Sequence, residues 1–272
     1  MQSPSTDPPL LSYVDVKPIL NRLGELATTK LVLIGGQAVN FWVDQYRRQG
    51  RLADLEHGIP LTSKDIDFCA DRDGVVRCAW HLQGDFRLAE IDDHTPNVGT
   101  VTFLDDQGFR RVIDFIESPH GLKAAEVRRT ALQVDLLDDQ DQPTGVGFQV
   151  MHPVWCMMSR VSNTMGLPGY GSPHALRQLR ASVACAREFL IDLLEAGHYR
   201  AVLKLNERIF SFCHWKAAGR EVQLVHNIDP FSAVSVDDRL PEIFRKVRYP
   251  QMVSWLAARR GRAAKHIRRS AR

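Results

Sequence analysis

Three carboxylates stand out by type and spacing. Asp65 and Asp67 lie in Thr62-Ser63-Lys64-Asp65-Ile66-Asp67-Phe68, and Asp114 lies in Arg111-Val112-Ile113-Asp114-Phe115-Ile116. Both stretches read as strands, and successive strand side chains point to opposite faces. Asp65 and Asp67 therefore share a face, while Ile66 and Phe68 point the other way. Two carboxylates held this close repel each other unless something positive sits between them. A divalent cation meets that need, and paired Mg²⁺ ions are the usual machinery of phosphoryl transfer. Asp-x-Asp alone fits a solvated strand end or turn better than a metal site. The case for metal rests on its conjunction with an upstream Gly35-Gly36 pair and with Asp114, which is costly to bury between Ile113 and Phe115 unless paired or metal-bound.

The elements that must position these residues read as follows. Residues 13–28 carry Val16, Ile19, Leu20 and Leu23 at helical spacing. Residues 30–34 form a short apolar run ending at two glycines, which suits a buried strand and a tight turn. Val39, Trp42, Val43 and Tyr46 then mark an amphipathic helix. Residues 49–60 read as a connection, 65–70 as a strand and 75–82 as a helix. Residues 99–104 and 110–116 form one hairpin, and 130–137 with 146–151 another strand pair. From His152 the character changes to helices over 152–164, 174–195, 199–217, 241–247 and 251–267. Residues 229–238 read as a linker or extended arm. The expected organisation is an α/β domain over 12–151 and a helical domain with a basic tail over 152–272.

Composition narrows the class. Apolar residues make up 44% of the 272 and charged residues 25%, as in an ordinary globular protein. The longest apolar run, residues 31–43, is too short to span a bilayer, and the first residues lack a basic segment followed by an apolar core. They read as a short disordered lead, and the expected location is cytoplasmic, with no membrane partner. The five cysteines lack CxxC spacing and read as free thiols in a reducing compartment. No HExxH motif, Cys/His zinc spacing or Walker A sequence occurs. Residues 243–272 hold ten Lys/Arg and no Asp or Glu, so the rest of the chain is net acidic by seven charges. Such a tail suits a nucleic-acid footprint or, equally, a solvated helix end.

The order of a strand, Gly-Gly, a helix, a strand with Asp-x-Asp and a later strand with a lone Asp resembles the polymerase-β-like nucleotidyltransferase superfamily. The wording Ile34-Gly35-Gly36-Gln37-Ala38-Val39-Asn40-Phe41-Trp42 and Thr62-Ser63-Lys64-Asp65-Ile66-Asp67-Phe68 is particularly similar to AbiEii-type nucleotidyltransferases, toxin components of bacterial toxin–antitoxin systems. The resemblance spans roughly residues 28–116. It implies an α+β fold, with a mixed sheet and flanking helices, followed by a helical C-terminal region. It also implies that Asp65 and Asp67 hold two Mg²⁺ ions, that Asp114 binds one of them, and that Asp114 orients the attacking hydroxyl. Gly35 and Gly36 would let the backbone approach the phosphates of an NTP, and Ser63 and Lys64 would contact them. Two departures matter. Gly36 and Asp65 are separated by 28 residues, a longer connection than is usual there. Where many such chains carry a phosphate-binding lysine on a later helix, this one offers Arg160, with Lys204 and Arg208 as other candidates.

The expected activity is transfer of a nucleoside monophosphate from an NTP to a hydroxyl, on RNA such as a tRNA 3′ end or on a protein, with an antitoxin as a possible partner. Three rivals stay open: an antibiotic nucleotidyltransferase, a non-catalytic nucleotide- or partner-binding protein on the same fold, and a basic helical RNA-binding module.

Overall fold

A computed structural model describes residues 9–52, 61–93, 95–138 and 140–270, with the side chains of residues 91 and 268–270 aside. The lead at 1–8 and much of the connection at 49–60 lie outside the described residues. The protein is α+β. It divides into two compact units: Met1–Gln45 with Glu56–His152, and Tyr46–Leu55 with Pro153–Arg272.

The first unit opens with α1 (Tyr13–Leu23) and α2 (Glu25–Thr29), since the expected single helix breaks at Gly24. Ser12 caps α1 in a reciprocal box with Asp15. β1 (Val32–Leu33) is followed at once by α3 (Gly35–Arg48). The paired glycines are thus the first turn of a helix rather than a separate tight turn. Then come β2 (Ile66–Cys69), α4 (Arg72–Leu82), β3 (Asp85–Leu88), β4 (Asn97–Leu104), β5 (Arg110–Ile116), α5 (Ala124–Thr130), β6 (Leu132–Leu137) and β7 (Pro143–Val150).

The seven strands form one mixed sheet in the order β3-β4-β5-β2-β1-β7-β6. The two expected hairpins are both present, as antiparallel β4/β5 and β6/β7. β2 runs parallel to β5, which places Ile66 beside Ile113, Asp67 beside Asp114 and Phe68 beside Phe115. On the apolar face Ile66, Phe68, Ile113, Phe115 and Val101 are all fully buried. Each such side chain contributes roughly 1.5–3 kcal/mol of burial. The Phe68 and Phe115 rings stack at 6.0 Å. α4 covers this face, with Val75 against Gly99. At the start of the sheet, Trp42 Nε1 donates to the Met151 carbonyl at 2.9 Å, tying α3 to the end of β7.

The second unit is helical: α6 (Pro153–Gly166), α7 (Pro173–Glu195), α8 (Tyr199–Trp215), α9 (Ala217–His226), a 3₁₀ turn (Pro230–Ala233), a π-helical turn (Phe244–Arg248) and α10 (Tyr249–Ser270). The segment read as an extended arm instead carries the 3₁₀ turn and buries Phe231, Ala233 and Val234. Its Asp229 is gripped by Arg260 through two bonds, one of 3.0 Å to Nη1. Arg248 likewise holds Glu207 with two bonds of 2.6 Å. Tyr46 Oη donates to Asp192 at 3.1 Å, and Arg51 pairs with both Glu188 and Asp192, so the segment after α3 is anchored on α7. No helix among the described residues is long and apolar enough to cross a membrane.

Candidate functional site

The carboxylate site is built on the open face of the two central strands. Along β5 burial alternates, with Ile113 and Phe115 sealed while Val112, Asp114 and Ile116 are partly or fully open. The same alternation puts Asp67 of β2 on that open face, register partner to Asp114. Asp65 is not in the strand. It occupies a bend just before Ile66 and is exposed. It still reaches the site electrostatically: burial raises the Asp114 carboxyl above its ordinary range, and the Asp65 charge raises it further. Asn97 of β4 lies against Asp114, Nδ2 to Oδ1 at 3.4 Å.

Gly35 ties the helix start to this face. Its φ is +64°, and a Cβ there would stand 2.0 Å from Asp67 Oδ2. Both facts demand glycine: the backbone is left-handed, and a carboxylate occupies the space a side chain would need. The Ile34 N–H donates to the Asp67 carbonyl at 3.0 Å, fixing strand and helix start together. Asp67 therefore sits at the N-terminus of α3, where main-chain N–H groups favour negative charge.

The remaining predicted residues are placed differently. Gly36 lies within the first turn of α3. Ser63 spends its main chain on Leu11 in a two-bond bridge of 2.8 and 2.9 Å, and Lys64 is exposed at the bend beside Asp65. Arg160 belongs to the second unit, where it is buried, donates to Gln178 Oε1 at 3.0 Å and stacks over Tyr170 at 5.6 Å. That guanidinium is occupied in holding α6 to α7. Lys204 is exposed on α8, and Arg208 lies over the Trp155 ring at 5.8 Å.

Three residues near the site escaped the sequence reading. A cleft of about 400 Å³ opens beside Asn97, and Arg72, Glu117 and Arg128 line it too. Arg128 comes from α5 and touches the Cys69 thiol, which shares the Asp67 side of β2. Arg72 donates to the Ala89 carbonyl at 2.9 Å. Asn97 brings a hydrogen-bond donor to Asp114, while Arg72 and Arg128 bring positive charge to the cleft on its other side, which none of the three carboxylates lines. No local motif marks them, because only the fold brings them there.

Carboxylates are hard oxygen donors that suit Mg²⁺, and their mutual repulsion is what a cation would relieve. The residues present fit such an ion by donor type. In their present side-chain positions, no group of three His, Cys, Asp or Glu among the described residues is gathered closely enough to hold one. All five cysteines are free and buried. Burial pushes the thiols up, Cys78 to about 12, so none is a ready nucleophile or metal ligand.

No family model matches the chain, and no curated protein matches it. Among solved structures it is similar to the crystal structure of JHP933 from Helicobacter pylori, at 13% identity and a TM-score of 0.36, over 95% of this chain and 94% of that one.

Proposed function

We propose that the protein is a Mg²⁺-dependent nucleotidyltransferase with a polymerase-β-like core, transferring a nucleoside monophosphate from an NTP to a hydroxyl with release of pyrophosphate. The observation that carries this reading is the register of β2 and β5, which sets Asp67 beside Asp114 on an open sheet face with Asp65 close enough to act on it. Asp65, Asp67 and Asp114 would hold the metal. When bound, Mg²⁺ supplies Lewis acidity and neutralises charge developing on the phosphoryl oxygens. Asp114, whose proton affinity is already raised by burial and by Asp65, is suited to accept a proton from the attacking hydroxyl. Gly35 keeps the carboxylate of Asp67 and the backbone at closest approach. Arg72 and Arg128 offer positive charge to phosphate in the neighbouring cleft.

The test is pyrophosphate release from each of the four NTPs with Mg²⁺ and total cellular RNA, comparing wild type with Asp65→Ala/Asp67→Ala. Release that requires both aspartates and favours one NTP supports the reading, and labelled product identifies the acceptor. No release with RNA, with protein extract or with aminoglycosides overturns it in favour of a binding protein.

A further inference from the structure

The second unit carries a cationic groove that the nucleotidyl-transfer reading does not use. α9 and α10 enclose a cleft of about 400 Å³ lined by Arg220, Glu221, Arg259, Arg262, His266 and Ile267. Glu221 is the one acid there, and it is engaged with Arg220 at 3.2 Å. Among the described residues, Arg259 and Arg262 form no ion pair. Elsewhere on α10 the opposite rule holds: Arg260, the residue between them in sequence save Gly261, is matched by Asp229. At one edge of the groove Trp215 is 64% exposed, and the Arg259 guanidinium lies 5.0 Å from its ring centre. Behind it His214 is buried, and burial together with Arg259, Arg220 and Arg262 depresses its pKa, a sign of the positive field these arginines set up.

Unpaired guanidinium groups beside an exposed indole match one chemistry. The arginines suit successive phosphates, and the indole suits the face of an unpaired base. A small anion would use the arginines and leave the indole idle. We propose that the α9–α10 groove binds the sugar-phosphate backbone of a single-stranded polynucleotide, with Trp215 as a stacking platform. This assignment goes beyond the nucleotidyl-transfer reading and stands without it, because binding requires neither NTP nor metal.

The experiment uses the full chain and a fluorescent twelve-nucleotide RNA, with DNA of the same sequence, its duplex, inorganic triphosphate and vesicles of phosphatidylcholine and phosphatidylserine as comparison arms. Affinity is measured across a salt series without NTP or Mg²⁺. Wild type should bind the single strands, favour them over the duplex, and lose affinity steeply with salt. Arg259→Ala/Arg262→Ala should weaken binding about tenfold or more and reduce the log–log salt slope by about 1.4, two phosphate contacts on a single strand. Arg259→Lys/Arg262→Lys should keep most of that slope. Trp215→Ala should weaken binding about tenfold with little change in slope, and Trp215→Phe should retain most of the affinity. Thermal melts of each variant establish that it folds. Asp65→Ala/Asp67→Ala should bind as wild type does, so a dead catalytic reading leaves this result intact. The proposal is overturned if the double arginine variant, folded, binds like wild type. It is equally overturned if triphosphate competes as well as the oligonucleotide, or if the vesicles bind and the oligonucleotides do not.

Discussion

In the helical unit, carboxylates are answered by arginines. Arg248 closes on Glu207, Arg260 on Asp229, and Arg51 on Glu188 and Asp192. The sheet unit does the same where it needs only structure: Arg111, 5% exposed, holds Asp105 at 2.7 Å beneath the β4–β5 turn. Asp114, on the open face of β5, breaks the rule. There Asp114 faces Asp65, and its proton affinity rises instead of falling. Asp105 responds the other way. Burial opposes ionisation there too, yet Arg111 and two main-chain N–H groups bring its pKa below the usual range. Charge left unanswered costs stability, so a fold that keeps it has placed it where a partner supplies the answer. The α9–α10 groove is the same pattern with the opposite sign.

The largest expected effect on activity is at Asp67. Asp67→Ala should lower nucleotidyl transfer on the order of a hundred- to a thousandfold while leaving the thermal midpoint nearly unchanged. A large loss of stability with a proportionate loss of activity would make Asp67 merely structural. Arg260→Ala should cost about 2 kcal/mol by leaving Asp229 half-buried and unanswered, read by denaturant unfolding, with nucleotidyl transfer unaffected at permissive temperature. Gly35→Ala should cost about 1–2 kcal/mol and also displace the Asp67 carboxylate, so activity should fall at least tenfold. Gly108 makes the matching control, because its φ is +81° and nothing lies within 4 Å of the space its Cβ would take. Gly108→Ala should show a similar backbone cost with no change in activity.

The smallest effect is the sharpest in sign. The folded-state pKa of Asp114 lies above its unfolded value, so between the two values the folded state holds more protons. Stability from this group is therefore present at low pH and lost as pH rises through the raised pKa. Asp114→Asn should stabilise the protein at neutral pH by on the order of 0.5 kcal/mol, an amount already reduced for solvent screening, while abolishing activity. Asp229→Asn in the other unit should destabilise. The same direction for both would remove the contrast between the units.

Much of the acidic face was legible in the sequence because strand alternation is a local property. The pattern Ile-Asp-Phe on β2 and Ile-Asp-Phe on β5 already assigns each residue a side, and parallel pairing aligns the two patterns residue for residue. Asp65 was placed one residue too far into the strand, since an exposed bend and a strand end have the same composition. The short β3 escaped although Asp85-Phe86-Arg87-Leu88 alternates polar and apolar, because four residues are too few to set a strand apart, and Phe86 stays exposed. α9 escaped because the helix read over 199–217 was not followed by another, and Gly219 disfavours a helix interior. Gly219 instead allows a close approach, since a Cβ there would stand 2.7 Å from the Phe212 carbonyl oxygen. Residues 229–238 looked like a solvated arm from Asp, Pro and Ser, yet Phe231 and Val234 decide their burial. Arg160 looked available for phosphate because its partner Gln178 lies on another helix. Asn97 and Arg128 were invisible for the same reason: their importance depends on neighbours distant in sequence.

The most direct test of a cation site at Asp65, Asp67 and Asp114 is calorimetric titration with Mn²⁺ as a Mg²⁺ surrogate, in wild type and in Asp65→Asn/Asp67→Asn/Asp114→Asn. Saturable binding in wild type that disappears in the triple variant is the predicted result. Absence of binding in wild type, or equal binding in both proteins, would contradict the account.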